Sequence, residues 1–294
     1  MQLRPITLIQ ASLAGLIVTA SGSSSLALTE AVAGASQSPQ SPTLVAQAQS
    51  NACDLDTRLA ARVVRNTLFE RTYSTRSIIN LEGSATGLSF NMEAQVTTLT
   101  QAPGKFRSEI VFQEPGNPET SEFLVMSNGE QAWVYDKIGD RYFGMSHQDF
   151  DDSDDAFLIG LTANMGLMIQ SDFSDIKEAR KLSEAEFATV LSEAMGPCQN
   201  SKLTTTFRTV NGQTYQTFEF EDQVEGFTMT GLMNRQTSRL DYFSLSGQED
   251  GIDFEINEQI ISRTAMPETS STAFEFIPPA TAEESAEPIS IGPF

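Results

Sequence analysis

Twice in this chain an Asn-Gly pair separates two runs of alternating apolar and polar residues, and that arrangement calls for an antiparallel β-sheet. Asn128-Gly129 lies between Phe123–Met126 and Ala132–Asp136, and Asn211-Gly212 lies between Leu203–Thr209 and Thr214–Glu221. Asn-Gly suits a two-residue hairpin turn because both central positions of the type I′ form need positive φ. Gly139-Asp140 predicts a further hairpin, between Trp133–Lys137 and Arg141–Met145. Connections this short make neighbouring strands antiparallel.

Side chains along a strand alternate between its two faces. Phe106, Ser108, Ile110 and Phe112 fall on one side, with Arg107, Glu109 and Val111 on the other. Phe218 and Phe220 oppose Glu219 and Glu221, while Phe227, Met229 and Met233 share a face across Gly231. Ile252, Phe254 and Ile256 oppose Asp253, Glu255 and Asn257. One face of the sheet is thus apolar and the other wet, and the apolar face needs a cover. Three helical segments are predicted to supply it. Residues 54–69 set Leu55, Leu59 and Val63 on one stripe, and Ser153–Gln170 carries Phe157, Leu158, Leu161, Met165, Leu167 and Met168. Ser183–Met195 opens on the capping box Ser183-Glu184-Ala185-Glu186. The expected fold class is α+β: a strongly curved antiparallel sheet, an incomplete β-barrel, with helices covering its apolar concave face. Phe106, Ile110, Phe112, Phe218, Phe220, Met229 and Phe254 are the expected lining of a cavity for an apolar ligand.

The termini suggest export. Arg4 precedes an apolar stretch from Ile6 to Ala20, shorter than the roughly 20 residues of a membrane span and of signal-peptide size. Cleavage after Ala27, Ala35 or Ala48 fits the small residues that follow. The expected organisation is a signal peptide over 1–27 (extending to 48 with the latest cleavage), a flexible linker over 28–52, one domain over 53–279 and a loose acidic tail over 280–294. The destination is periplasmic or secreted. There, two cysteines, Cys53 and Cys198, form an expected disulfide. Lipid modification of Cys53 is disfavoured, because Ser50-Asn51-Ala52 lacks the apolar residue such a site wants. A formal charge of −21, from 39 acidic and 18 basic residues, argues against nucleic acid and anionic membrane surfaces as partners.

Catalytic equipment is sparse. His147 is the only histidine, so a site of several imidazoles is excluded, and no Gly-x-Ser-x-Gly elbow accompanies it. It is expected in a solvated loop. Asp149 to Asp155 holds five aspartates, but Asp154 stands where an EF-hand needs glycine and Gly160 where it needs glutamate. The expectation is a solvated helix N-terminus, with no metal, no cofactor and no enzymatic activity.

Three stretches resemble the periplasmic lipoprotein-carrier (LolA-like) family. Ala102-Pro103-Gly104-Lys105-Phe106-Arg107 is similar to its Pro-x-x-Phe segment, and Ser127 to Asp136 to its D-G-x-x-x-W-x-Y hairpin, with Asn128 for Asp. Phe274-Glu275-Phe276-Ile277-Pro278-Pro279 is similar to its ending. The resemblance implies an incomplete barrel closed by helices over a cavity for acyl chains, with Phe106 at a cavity aromatic. The arginine that the best-known carriers place before the Pro is Ala102 here. The implied partner is a lipid or acylated lipoprotein, bound by a monomer. The alternative is an envelope protein-interaction or regulatory module on the same fold.

Overall fold

A computed structural model describes residues 57–85, 88–113, 120–172, 181–195, 201–210, 212–222, 226–249 and 252–291. The chain enters through helix α1 (Thr57–Phe69) and then builds six strands: β1 (Thr72–Ala85), β2 (Leu88–Gln101), β3 (Lys105–Gln113), β4 (Thr120–Asn128), β5 (Gln131–Asp136) and β6 (Arg141–Ser146). A helical segment follows, with α2 (His147–Asp151), a 3-10 turn (Ala156–Ile159), α3 (Leu161–Asp172) and α4 (Glu184–Met195). Five more long strands complete the framework: β7 (Ser201–Val210), β8 (Gln213–Asp222), β9 (Phe227–Asn234), β10 (Arg239–Glu249) and β11 (Ile252–Ala265). A short β12 (Glu283–Glu284) comes last.

All twelve strands belong to one curved, unclosed sheet in the order β12-β6-β5-β4-β3-β2-β1-β11-β10-β9-β8-β7. Every pairing is antiparallel except that of β12 with β6. Apart from the edge strand β12, the sheet consists of two sequential meanders, joined where β1 runs beside β11 from Tyr73↔Ala265 to Ser84↔Asp253. Among the described residues no helix is long and apolar enough to cross a membrane.

Local chemistry accounts for the turns. The loop between β4 and β5 is Gly129-Glu130. Only Gly129 takes positive φ, at 93°, so the expected pair of positive-φ residues at Asn128-Gly129 is not formed. Gly at the first central position is the II′ arrangement instead. The Asn128 side chain accepts the Glu130 and Gln131 amides at 2.9 Å, which fixes the turn from outside. The capping box at α4 forms as expected: the Glu186 amide donates to Ser183 Oγ, and the Ser183 amide to Glu186.

Three expectations need correction. The single helix over Ser153–Gln170 is broken, because Gly160 takes φ 109° between the 3-10 turn and α3. His147 is not in a solvated loop. It opens α2 with a side chain only 16% exposed, its Nδ1 lies 3.1 Å from Ser127 Oγ, and its Nε2 lies 3.4 Å from Asp151. The tail after Pro279 is not loose over its described length. Glu283-Glu284 pairs with Arg141-Tyr142, and Ile289 and Ile291 join the core. The aspartate run likewise has specific work: Asp155 accepts the Ile291 amide at 2.9 Å. Cys53 and Cys198 lie outside the described residues.

Candidate functional site

Antiparallel register turns alternation along each strand into rows across the sheet. One row runs Phe90, Gly83, Phe254, Gly247, Phe227 over β2, β1, β11, β10 and β9. The next inward is apolar throughout: Met92, Leu81, Ile256, Leu245, Met229, Phe220. A third runs Phe112, Ala94, Ile79, Glu258, Phe243, Gly231, Phe218. The glycines serve the aromatics. A Cβ at Gly83 would overlap the Phe90 ring, and one at Gly231 would overlap Phe218. Each ring therefore lies over the bare backbone of its neighbour, the device by which an aromatic protects a strand glycine.

The structure brings all seven sequence-predicted residues into one apolar cluster, with Phe157, Leu158, Ile159, Leu161 and Leu167 from the helical segment. Phe106, Ile110, Phe112 and Met229 are buried, while Phe218, Phe220 and Phe254 keep part of their surface. Phe106 sits beneath α2, its ring 5.4 Å from that of Phe150 and 6.3 Å from His147. The accessible end of the face is elsewhere. Phe90 and Phe254 line a cleft of about 610 Å³ at the β1–β2 and β10–β11 hairpin ends, with the carboxylates of Glu82, Asp253 and Glu255 around them.

One member of the apolar face went unpredicted. Glu258 occupies the inward position after Ile256 and is fully buried. The Thr162 amide, in the first turn of α3, donates to its Oε2 at 2.7 Å. Burial pushes its carboxyl pKa up, opposed by the hydrogen bond from the Thr162 amide and by the charge of Arg263. Among the described residues Glu258 Oε1 and the Thr75 hydroxyl are buried without a hydrogen-bonding partner. A buried carboxyl between Ile79 and Phe243 costs stability unless paired or protonated. Its compensation is to hold the start of α3 on the sheet.

A second cleft, of about 600 Å³, lies between α1, α4 and the β9–β10 turn, lined by Arg62, Arg65, Asn66, Glu70, Glu184, Thr237 and Arg239. Leu59, Ala60 and Val63 of α1 pack beside it on Met233, with Phe218 and Leu240 shared between that group and the main apolar cluster. Two of the quoted sequence stretches also meet in space. Phe274 is fully buried, and Phe276 stacks on Trp133 at 6.2 Å, beside Tyr135 and Tyr142. Among the described residues no group of three or more potential metal ligands converges.

No family model matches the sequence, and no curated protein matches it closely enough to show kinship. Solved structures do share features of its chain path. An uncharacterised conserved protein from Thermus thermophilus aligns with a TM-score of 0.39 at 11% identity, covering 77% of this chain and 96% of that one. LprF from Mycobacterium bovis aligns with a TM-score of 0.39 at 12% identity, covering 72% and 94%. A LolA superfamily protein from Nitrosomonas europaea aligns with a TM-score of 0.27 at 10% identity, covering 73% and 98%. At such scores these are likenesses of chain path alone.

Proposed function

We propose that the chain is a non-catalytic periplasmic carrier or sensor that holds an apolar ligand, a lipid or the acyl chain of a lipoprotein, on the inward face of its sheet, beneath the helical segment. The observation that carries this reading is the unbroken row from Met92 to Phe220, bordered by rings that stay partly exposed at the Phe90–Phe254 cleft. A face intended only as core would be expected to bury its largest rings completely, since each buried aromatic adds to stability.

The test is binding of a fluorescent fatty-acid probe by the parent chain and by Phe254→Ala, Phe220→Ala and Met229→Phe. Uptake by the parent, weakened about tenfold or more in each variant, supports the reading. In a fully packed core, Met229→Phe would instead overpack and cost about 1–3 kcal/mol. That loss, with no uptake of any apolar probe by the parent, overturns the reading in favour of an envelope protein-interaction module.

A further inference from the structure

We propose that the arginine cleft is a headgroup site for an oxyanion, phosphate or carboxylate, carried by the same ligand whose chain lies on the apolar strand face. This rests on the proposed function and specifies the ligand as amphipathic and anionic. Charge gives the first reason. The chain has 39 acidic and 18 basic residues, yet this cleft reverses the balance, with three arginines against two glutamates.

Construction gives the second. Each arginine is braced by a partner at the cleft's margin. Arg62 donates through Nε to Ser238 Oγ at 3.1 Å and through Nη1 to Glu184 at 2.9 Å. Arg239 donates through Nη1 to the Arg263 carbonyl at 2.7 Å and through Nη2 to Glu70 at 3.2 Å. Arg65 lies over the Phe187 ring, 6.0 Å from its centre. A guanidinium carries five donors, so among the described residues these bonds leave Nη2 of Arg62 and Nε of Arg239 with capacity for a ligand. Guanidinium forks already held in place match oxyanion geometry and lose little freedom on binding.

Continuity gives the third. Arg239 lines this cleft and Ser246 lines the Phe90–Phe254 cleft, so the two openings are served by one strand, β10. Seven steps at about 3.4 Å separate them by roughly 24 Å. Between them lie Leu240, Phe243 and Leu245, all in the apolar cluster. Leu240 shares that face because the register shifts between Leu240 and Tyr242, and it also touches the α1 group beside the arginines. The apolar residues of β10 thus run without a break from one cleft to the other, and an acyl chain would take its place among them.

The experiment compares two lipids with the same acyl chain, 1-acylglycerol phosphate and 1-acylglycerol, by calorimetric titration below their micelle concentrations, with inorganic phosphate as a third probe. The expected result is at least tenfold tighter binding of the phosphate lipid at low salt, a preference that shrinks as salt screens the arginines. Arg65→Gln and Arg62→Gln abolish the preference and Arg65→Lys retains part of it, while affinity for 1-acylglycerol stays unchanged in each. Unchanged affinity for the neutral lipid also shows that the variants are folded. Equal affinity of the two lipids for the parent overturns the headgroup site and leaves the apolar face standing. Failure of both lipids to bind overturns both readings. Inorganic phosphate binding as tightly as the lipid shows a free-anion site and overturns the link to the chain.

Discussion

Glu258 concentrates the tension of this fold in one side chain. In the unfolded chain its carboxyl titrates in the ordinary range, whereas burial makes the folded protein hold the proton to higher pH. The folded state therefore binds more protons in the window above the ordinary carboxylate range, and stability falls as pH rises through it. Glu258→Gln keeps an oxygen for the Thr162 amide and removes the titration. Urea midpoints measured from about pH 4 to 8 are expected to decline less steeply for the variant than for the parent, and parallel slopes would refute the assignment. A second single-residue prediction concerns Gly231, whose Cβ would meet both Phe218 and Leu240. Gly231→Ala should destabilise by about 1–3 kcal/mol as an overpacked site, read from the same denaturation curves. Glu258 was hidden in the sequence because its neighbours to Asn257 alternate cleanly. A charged residue at the next inward position signals nothing until the partner helix is known.

Elements differ in how openly the sequence declares them. The β4–β5 and β5–β6 hairpins and the α4 capping box were legible because their signals lie within a few residues of one another. Strands β1 and β2 were not, although they are the centre of the sheet. Their inward positions mix Ile79, Leu81, Ala94 and Val96 with buried Thr75, Ser77, Thr98 and Thr100, so apolar periodicity fades over half their length. What holds a buried hydroxyl there can lie far away in the chain: Thr98 bonds Ser108 on the next strand and the Ile159 carbonyl, 61 residues away. The tail was opaque for the same reason, since its anchor is Asp155, 136 residues away from Ile291. Ile291→Ala is expected to cost about 2–5 kcal/mol as a buried large-to-small change, and an unaltered melting curve would restore the loose tail. For Cys53 and Cys198 we propose a disulfide. It would close a loop well over 100 residues long and stabilise by about 4–5 kcal/mol on the chain-entropy model. Thiol counting on the denatured, unreduced protein, purified from the envelope fraction, should find none free, and two free thiols would refute it.

At the scale of the molecule, the β1–β11 pairing joins two meanders that are otherwise sequential. Within each meander, hairpin partners are near neighbours in the chain. Across the join, Tyr73 faces Ala265. The sheet must therefore form in an order set by loop closure: near pairs first, and the distant pair only after most of the chain is available. Pulse-labelling hydrogen exchange during refolding should protect amides of β3 and β4 before those shared by β1 and β11, and simultaneous protection would contradict this. The fold thus has a clock as well as a shape. Until β11 arrives, β1 has one edge without its partner and the apolar rows stop at the middle of the sheet, so a nascent chain stays unfinished until nearly its last strand is present.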